Sequence, residues 1–145
     1  MRILIRRFLN LAALAVLGCG APAALGGDGK NMGVTALELA QLPKFCWAQM
    51  DAPNATGPEF RIDKQKCSYG INHYCPGLVT LIRAKRTTYM PAKVSGLRGV
   101  LDAIGYTEGF IKDYPQCPIR DHVAASRAEV NNLLRIYGGT PAKAK

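Results

Sequence analysis

Between residues 35 and 138 the apolar positions of this chain recur at helical spacing. No stretch alternates apolar and polar residues as a half-buried strand would, so strands are not expected. The clearest stripe passes through Ile71, Tyr74, Cys75, Leu78, Val79 and Ile82. Those residues share one helical face, which predicts a helix from about Tyr69 to Arg86. Pro76 either sits in its first turn or kinks it near Cys75. Arg83, Lys85 and Arg86 close it, as suits the negative end of a helix dipole. A later helix, capped by Ser95 and running to about Asp113, buries Leu97, Val100, Leu101, Ile104 and Ile111. Gly105 and Gly109, four apart, offer a side on which another backbone can approach. Thr87 to Val94, with Pro91, reads as the preceding connection. The last helix, Ile119 to about Tyr137, buries Ile119, Val123, Val130, Leu133, Leu134 and Tyr137, and Gly138-Gly139 ends it.

The earliest helical unit is less regular. Thr35-Ala36-Leu37-Glu38 forms a capping box, with Thr35 as N-cap and Glu38 at the third helical position. Apolar residues follow at Leu39, Leu42, Phe45, Cys46 and Met50, but Pro43 splits the run into Thr35–Leu42 and Pro43–Met50. Asp51 to Lys66 reads as a polar loop; its Asn54-Ala55-Thr56 is a chance match to a glycosylation acceptor. The expected fold is all-α: four main helices in antiparallel hairpins, over residues 35–138.

Ahead of this domain the chain is of another kind. Arg2, Arg6 and Arg7 precede an apolar run from Phe8 to Gly18, and Ala21-Pro22-Ala23 supplies small residues at A-x-A spacing. Basic, apolar and small segments in that order mark a secretory signal peptide, here residues 1–24. The apolar run falls short of the ~20 residues a membrane span needs. A second cleavage mode competes. Val16-Leu17-Gly18-Cys19 resembles a lipobox, which would leave Cys19 lipidated, but Leu17 departs from the usual small residue. Ordinary cleavage is therefore preferred. Arg6-Arg7-Phe8-Leu9 lacks the spacer of a twin-arginine signal. Residues 25–34 read as a Gly-rich linker, and 139–145 as a disordered basic tail. The expected location is periplasmic or secreted, with a membrane-anchored lipoprotein as the alternative.

Charge and cysteines refine the picture. The chain carries nineteen basic and ten acidic residues; the leader takes three arginines and no acid, which leaves the remainder at +6. Between Asp63 and Asp102 there is no acid at all. Arg83, Lys85, Arg86, Lys93 and Arg98 in that stretch are a candidate basic face for an acidic partner or anionic surface, set against the plainer reading of a solvated helix end. Nucleic acid is not expected, given export and no interleaved aromatic platform.

Apart from Cys19, four cysteines remain: Cys46, Cys67, Cys75 and Cys117. In an oxidising compartment they suggest two disulfides, and four cysteines allow three pairings. No C-x-x-C occurs and His73 and His122 lie far apart, so neither a metal site nor haem attachment is expected, and no cofactor. Antiparallel packing gathers all four cysteines at one end, and the preferred pairs are Cys46 with Cys75 and Cys67 with Cys117. The competing chemistry is a Cys75–His73 nucleophile, but residues two apart on a helix do not face each other.

Leu42-Pro43-Lys44-Phe45-Cys46, then Asn72-His73-Tyr74-Cys75-Pro76-Gly77-Leu78 and Arg83-Ala84, resembles a group of bacterial exported tetratricopeptide-repeat-like proteins. Their early helices carry L-P-x-[YF]-C, then H-Y-C-x-G-L and a downstream R-A. A Tyr-to-Pro segment, here Tyr106 to Pro115, precedes their next helix. The resemblance spans roughly Leu42 to Leu134 and implies stacked helix hairpins with a binding or scaffolding role. The general repeat signature is not present in order, and only Ala103 and Pro115 fall at its spacing. There is room for about two hairpins, where ~3 repeats are usual. The expected function is that of a non-enzymatic envelope module binding a partner protein, contacting membrane only through a lipid at Cys19. The alternative is a small redox or ligand-binding helical protein using the Cys/His region.

Overall fold

The computed structural model describes residues 33–138. The expected leader, Cys19, most of the linker and the basic tail lie outside the described residues. Within them the chain is helical and contains no strand.

The capping box forms as the sequence dictates. Thr35 Oγ1 accepts from the Glu38 N–H at 3.2 Å, and Glu38 Oε2 accepts from the Thr35 N–H at 2.8 Å. Helix α1 is nonetheless only Ala36–Leu39. Pro43 separates it from two 3-10 turns, Lys44–Cys46 and Ala48–Met50, so the expected second helical piece is two tight turns. The expected polar loop is also more ordered. It holds a 3-10 turn at Pro58–Phe60 and a one-turn helix α2, Lys64–Cys67, capped by the Asp63 carboxylate, which accepts from the Gln65 N–H at 2.9 Å. Its hydrophilic composition concealed a cap signal, an Asp at the N-cap.

Three long helices follow. Helix α3, Tyr74–Arg86, is led in by a 3-10 turn at Tyr69–His73 and holds Pro76 in its first turn. The first N–H groups of a helix have no intrahelical partner, so proline there costs no hydrogen bond and the helix need not kink. Helix α4, Met90–Ile111, starts five residues before the expected Ser95 cap. Pro91 lies in its opening turn rather than in a loop, a position for which its fixed φ is suited. Only Thr87–Tyr89 separates α3 from α4, which makes them a tight antiparallel hairpin. Helix α5, Arg120–Ile136, is followed by Gly138 at φ +77°, a left-handed stop.

α4 packs against both α3 and α5. The core between them contains Leu78, Val79, Leu97, Val100, Ile104, Val123, Val130 and Leu134, all buried. α3 and α4 approach closely through small residues, though not the pair the sequence suggested. A Cβ on Gly77 would lie 2.9 Å from Ala103 Cβ, and one on Gly96 3.1 Å from Ala84 Cβ. Gly109 has open space around it, and Gly105 meets only the Arg127 guanidinium.

Two disulfides fasten the irregular N-terminal part, one to α3 and one to the connection after α4. Cys46 joins Cys75 with 5.5 Å between their Cα atoms, and Cys67 joins Cys117 at 4.7 Å. They close 29 and 50 residues of chain respectively. In the chain-entropy picture loops of that size add about 3–4 kcal/mol per bridge.

Candidate functional site

The sequence-derived candidates are placed as follows. Cys75 is buried and its sulfur is bonded to Cys46, so a Cys75–His73 pair has no thiol to deprotonate. His73 faces outward and packs on α4, its ring centroid 4.1 Å from that of Tyr106. No group of three His, Cys, Asp or Glu residues is gathered among the described residues.

The five basic residues do not form one open face. Arg83 donates from Nε to Glu38 Oε1 at 2.8 Å and from Nη2 to the Gly33 carbonyl at 3.0 Å. Lys85 pairs with Glu129 of α5. Lys93 is buried; its ammonium donates to the Lys85 carbonyl at 3.2 Å and lies 4.4 Å over the Tyr137 ring. It thus satisfies a carbonyl in the last turn of α3, where the helix dipole favours a cation. Arg86 and Arg98 are the exposed remainder. The acid-free window of sequence finds its carboxylates on α1 and α5, outside the window.

The Glu38–Arg83 pair shifts the titration of both its members. Glu38 is buried, and the Arg83 hydrogen bond holds its carboxyl at about 2, below its usual 4.5. Desolvation opposes that shift, and Thr35 adds to it through its backbone and hydroxyl. Glu38 in turn raises Arg83. This pair ties α1 to α3 and has the character of a structural clamp.

Across α3 and α5, the Tyr74 hydroxyl and Ser126 Oγ share a hydrogen bond of 2.9 Å. Burial pushes the Tyr74 phenol upward, with the Ser126 bond opposing. His122 packs edge-on against Phe45, with centroids 5.1 Å apart. These groups join the helices at the core margin. Arg127 likewise clamps α5 to α4 by a two-pronged bond to Glu108, Nε to Oε1 at 2.6 Å. Arg120 donates to the Ile111 carbonyl at 2.6 Å, closing the end of α4.

Two surface features stand out among the described residues. On the outer side of α4, Arg98, Asp102, Tyr106 and Phe110 form one exposed ridge at i+4 spacing. Tyr106 is 46% exposed and Phe110 39%. Their rings lie 4.9 Å apart, and His73 extends the row from the α3 side. In the sequence Phe110 carried no assigned role, and Tyr106 entered only as the start of the Tyr-to-Pro segment. The available signal was their position, four apart and off the buried stripe of the same helix.

The second surface is a groove of about 660 Å³ in the disulfide-fastened part. Phe45, Ile62, Ile71 and Tyr69 give it apolar and aromatic walls, and Arg61 and Lys64 also line it. The Gln49 amide donates to the Asn72 carbonyl across one wall. None of these residues was a sequence-derived candidate, since they come from three 3-10 turns, helix α2 and the segment just before it, which meet only after folding.

No helix among the described residues is long and apolar enough to cross a membrane. Set against known protein families, curated proteins and solved structures, the chain matches none.

Proposed function

We propose that this chain is an exported, non-enzymatic helical binding module of the cell envelope whose partner is another envelope protein. The observation that carries the reading is the ring surface of His73, Tyr106 and Phe110, held open to solvent on a rigid hairpin. Aromatic side chains supply large contact area at little entropic cost and are enriched where partners bind. Export is supported by the basic–apolar–small order of residues 1–24 and by two disulfides, which persist in oxidising compartments. A free periplasmic or secreted domain follows from A-x-A cleavage; lipidation at Cys19 would tether it instead. The stacked hairpins of the tetratricopeptide-like resemblance belong to the same reading, with two disulfides supplying stability that a third repeat would otherwise give.

The test is cross-linked capture from envelope extract with the native chain and with a Tyr106→Ser/Phe110→Ser variant. The expected outcome is a partner recovered by the native chain and lost by roughly thirtyfold in the variant, as truncating central aromatics costs about 2 kcal/mol or more. The variant is expected to keep its helical circular dichroism, because neither side chain belongs to the buried core. Equal recovery by both chains overturns the reading. So does an absence of any partner while the purified protein turns over a small molecule.

A further inference from the structure

We propose that the groove between the two disulfides binds a small single-chain amphiphile with an anionic head. The site shares no residue with the ring surface of α4, and it stands or falls independently of the partner reading. Its volume, about 660 Å³, lies within the roughly 300–1,000 Å³ of small-molecule sites. The composition of the lining selects the ligand class. Ile71 and Ala55 are buried in it, and Phe45 and Ile62 are half-buried, which suits an apolar body. Tyr69 stands at the wall 75% exposed, a ring that the fold itself does not cover.

The charges at the groove are of one sign. Arg61 and Lys64 line it, and neither forms an ion pair among the described residues. Among the described residues no carboxylate lines it. The acid between them in sequence, Asp63, is turned to other work: it caps α2 at the Gln65 N–H and lies 3.6 Å from the Lys66 ammonium. Lys64 sits 5.5 Å over the Tyr69 ring, which keeps an ammonium beside the aromatic wall. An anionic head can therefore meet a guanidinium and an ammonium while its chain lies on Ile62, Ile71 and Phe45.

Two segments that carry lining residues are fastened covalently. Cys46, next to Phe45, is bonded to Cys75 of α3, and Cys67, at the end of α2, is bonded to Cys117 beyond α4. The Gln49–Asn72 hydrogen bond closes the wall between them. A site held this way loses little conformational freedom on binding.

Occupancy is read by isothermal titration calorimetry, because Trp47 stacks on Phe60 and is not among the residues that line the groove. The oxidised protein is titrated with dodecanoate, dodecyl phosphate and dodecyltrimethylammonium, each below its micelle-forming concentration. Saturable binding of either anionic probe is expected, with the cationic probe weaker by about tenfold or more, the size of one good charge-assisted contact. Arg61→Ala/Lys64→Ala is expected to weaken the anionic probes by at least the same factor and to leave circular dichroism unchanged, both side chains being exposed. Ala48→Phe, which fills the groove without touching its charges, is expected to weaken them as well. Equal affinity for the cationic probe, unchanged affinity in the double variant, or no saturation with either anionic probe overturns the proposal. Tighter binding of a glutamate-rich hexapeptide than of dodecanoate also overturns it and assigns the groove to a peptide.

Discussion

Glu38 shows how a single residue links a local sequence signal to long-range structure. Its place in the capping box is legible in four residues, but its partner Arg83 lies forty-five positions away. The folded carboxyl titrates at about 2 against an ordinary 4.5. A depressed folded value gives stability that is complete above the unfolded pKa and is lost as pH falls towards 2. Unfolding by urea at a series of pH values should therefore show a decline between about pH 4.5 and pH 2, and Glu38→Gln should remove its share of it. At neutral pH that substitution should cost about 1–3 kcal/mol, the worth of a charged hydrogen bond, with the lower end favoured because Arg83 is partly exposed. The glycines allow a second prediction at this scale. Gly77→Ala should destabilise, since its Cβ would press on Ala103 Cβ at 2.9 Å. Gly99→Ala, which has open space, should stabilise by about 0.5–1 kcal/mol through helix propensity. Thermal melts of the two variants should shift in opposite directions.

At the scale of elements, the periodic stripes of the three long helices were readable because a helix repeats its buried face locally. The expected stripe residues Leu78, Val79, Leu97, Val100, Ile104, Val123 and Leu134 are buried, while Ile82, Leu133 and Tyr137 are only partly buried against them. Boundaries were less legible where proline was involved. Pro91 reads as a breaker in isolation, yet the first turn of α4 accommodates it, and the helix gains the residues before Ser95. The short turns before α3 carry little periodicity of their own and depend on covalent fastening. Replacing Cys67 and Cys117 together by Ala should lower unfolding free energy by about 3–4 kcal/mol in denaturant titration. The loss should fall first on the segment before α3, seen as earlier hydrogen exchange there than in α4.

At the scale of the whole molecule, the ring surface and the groove lie on different parts of one stapled body. The ring surface sits on the longest helix, while the groove sits in the turns that the disulfides attach to it. Reduction of the bridges should therefore impair the groove more than the outer face of α4, which rests on the α3–α4 hairpin. The sequence by itself determined the all-α class, the capping box and the glycine stop at Gly138, and it favoured one of three cysteine pairings that the fold then fixed. Each follows from local spacing, or from the simple alternation of direction in an antiparallel stack. Only the tertiary structure decided which cations stay open, which glycines meet another backbone, and where a groove forms. Those depend on how the helices rotate about their axes and on which distant carboxylate comes into reach. Arg83, Lys85 and Lys93 look alike along the chain, and packing alone gives them a carboxylate on α1, a carboxylate on α5 and a backbone carbonyl on α3.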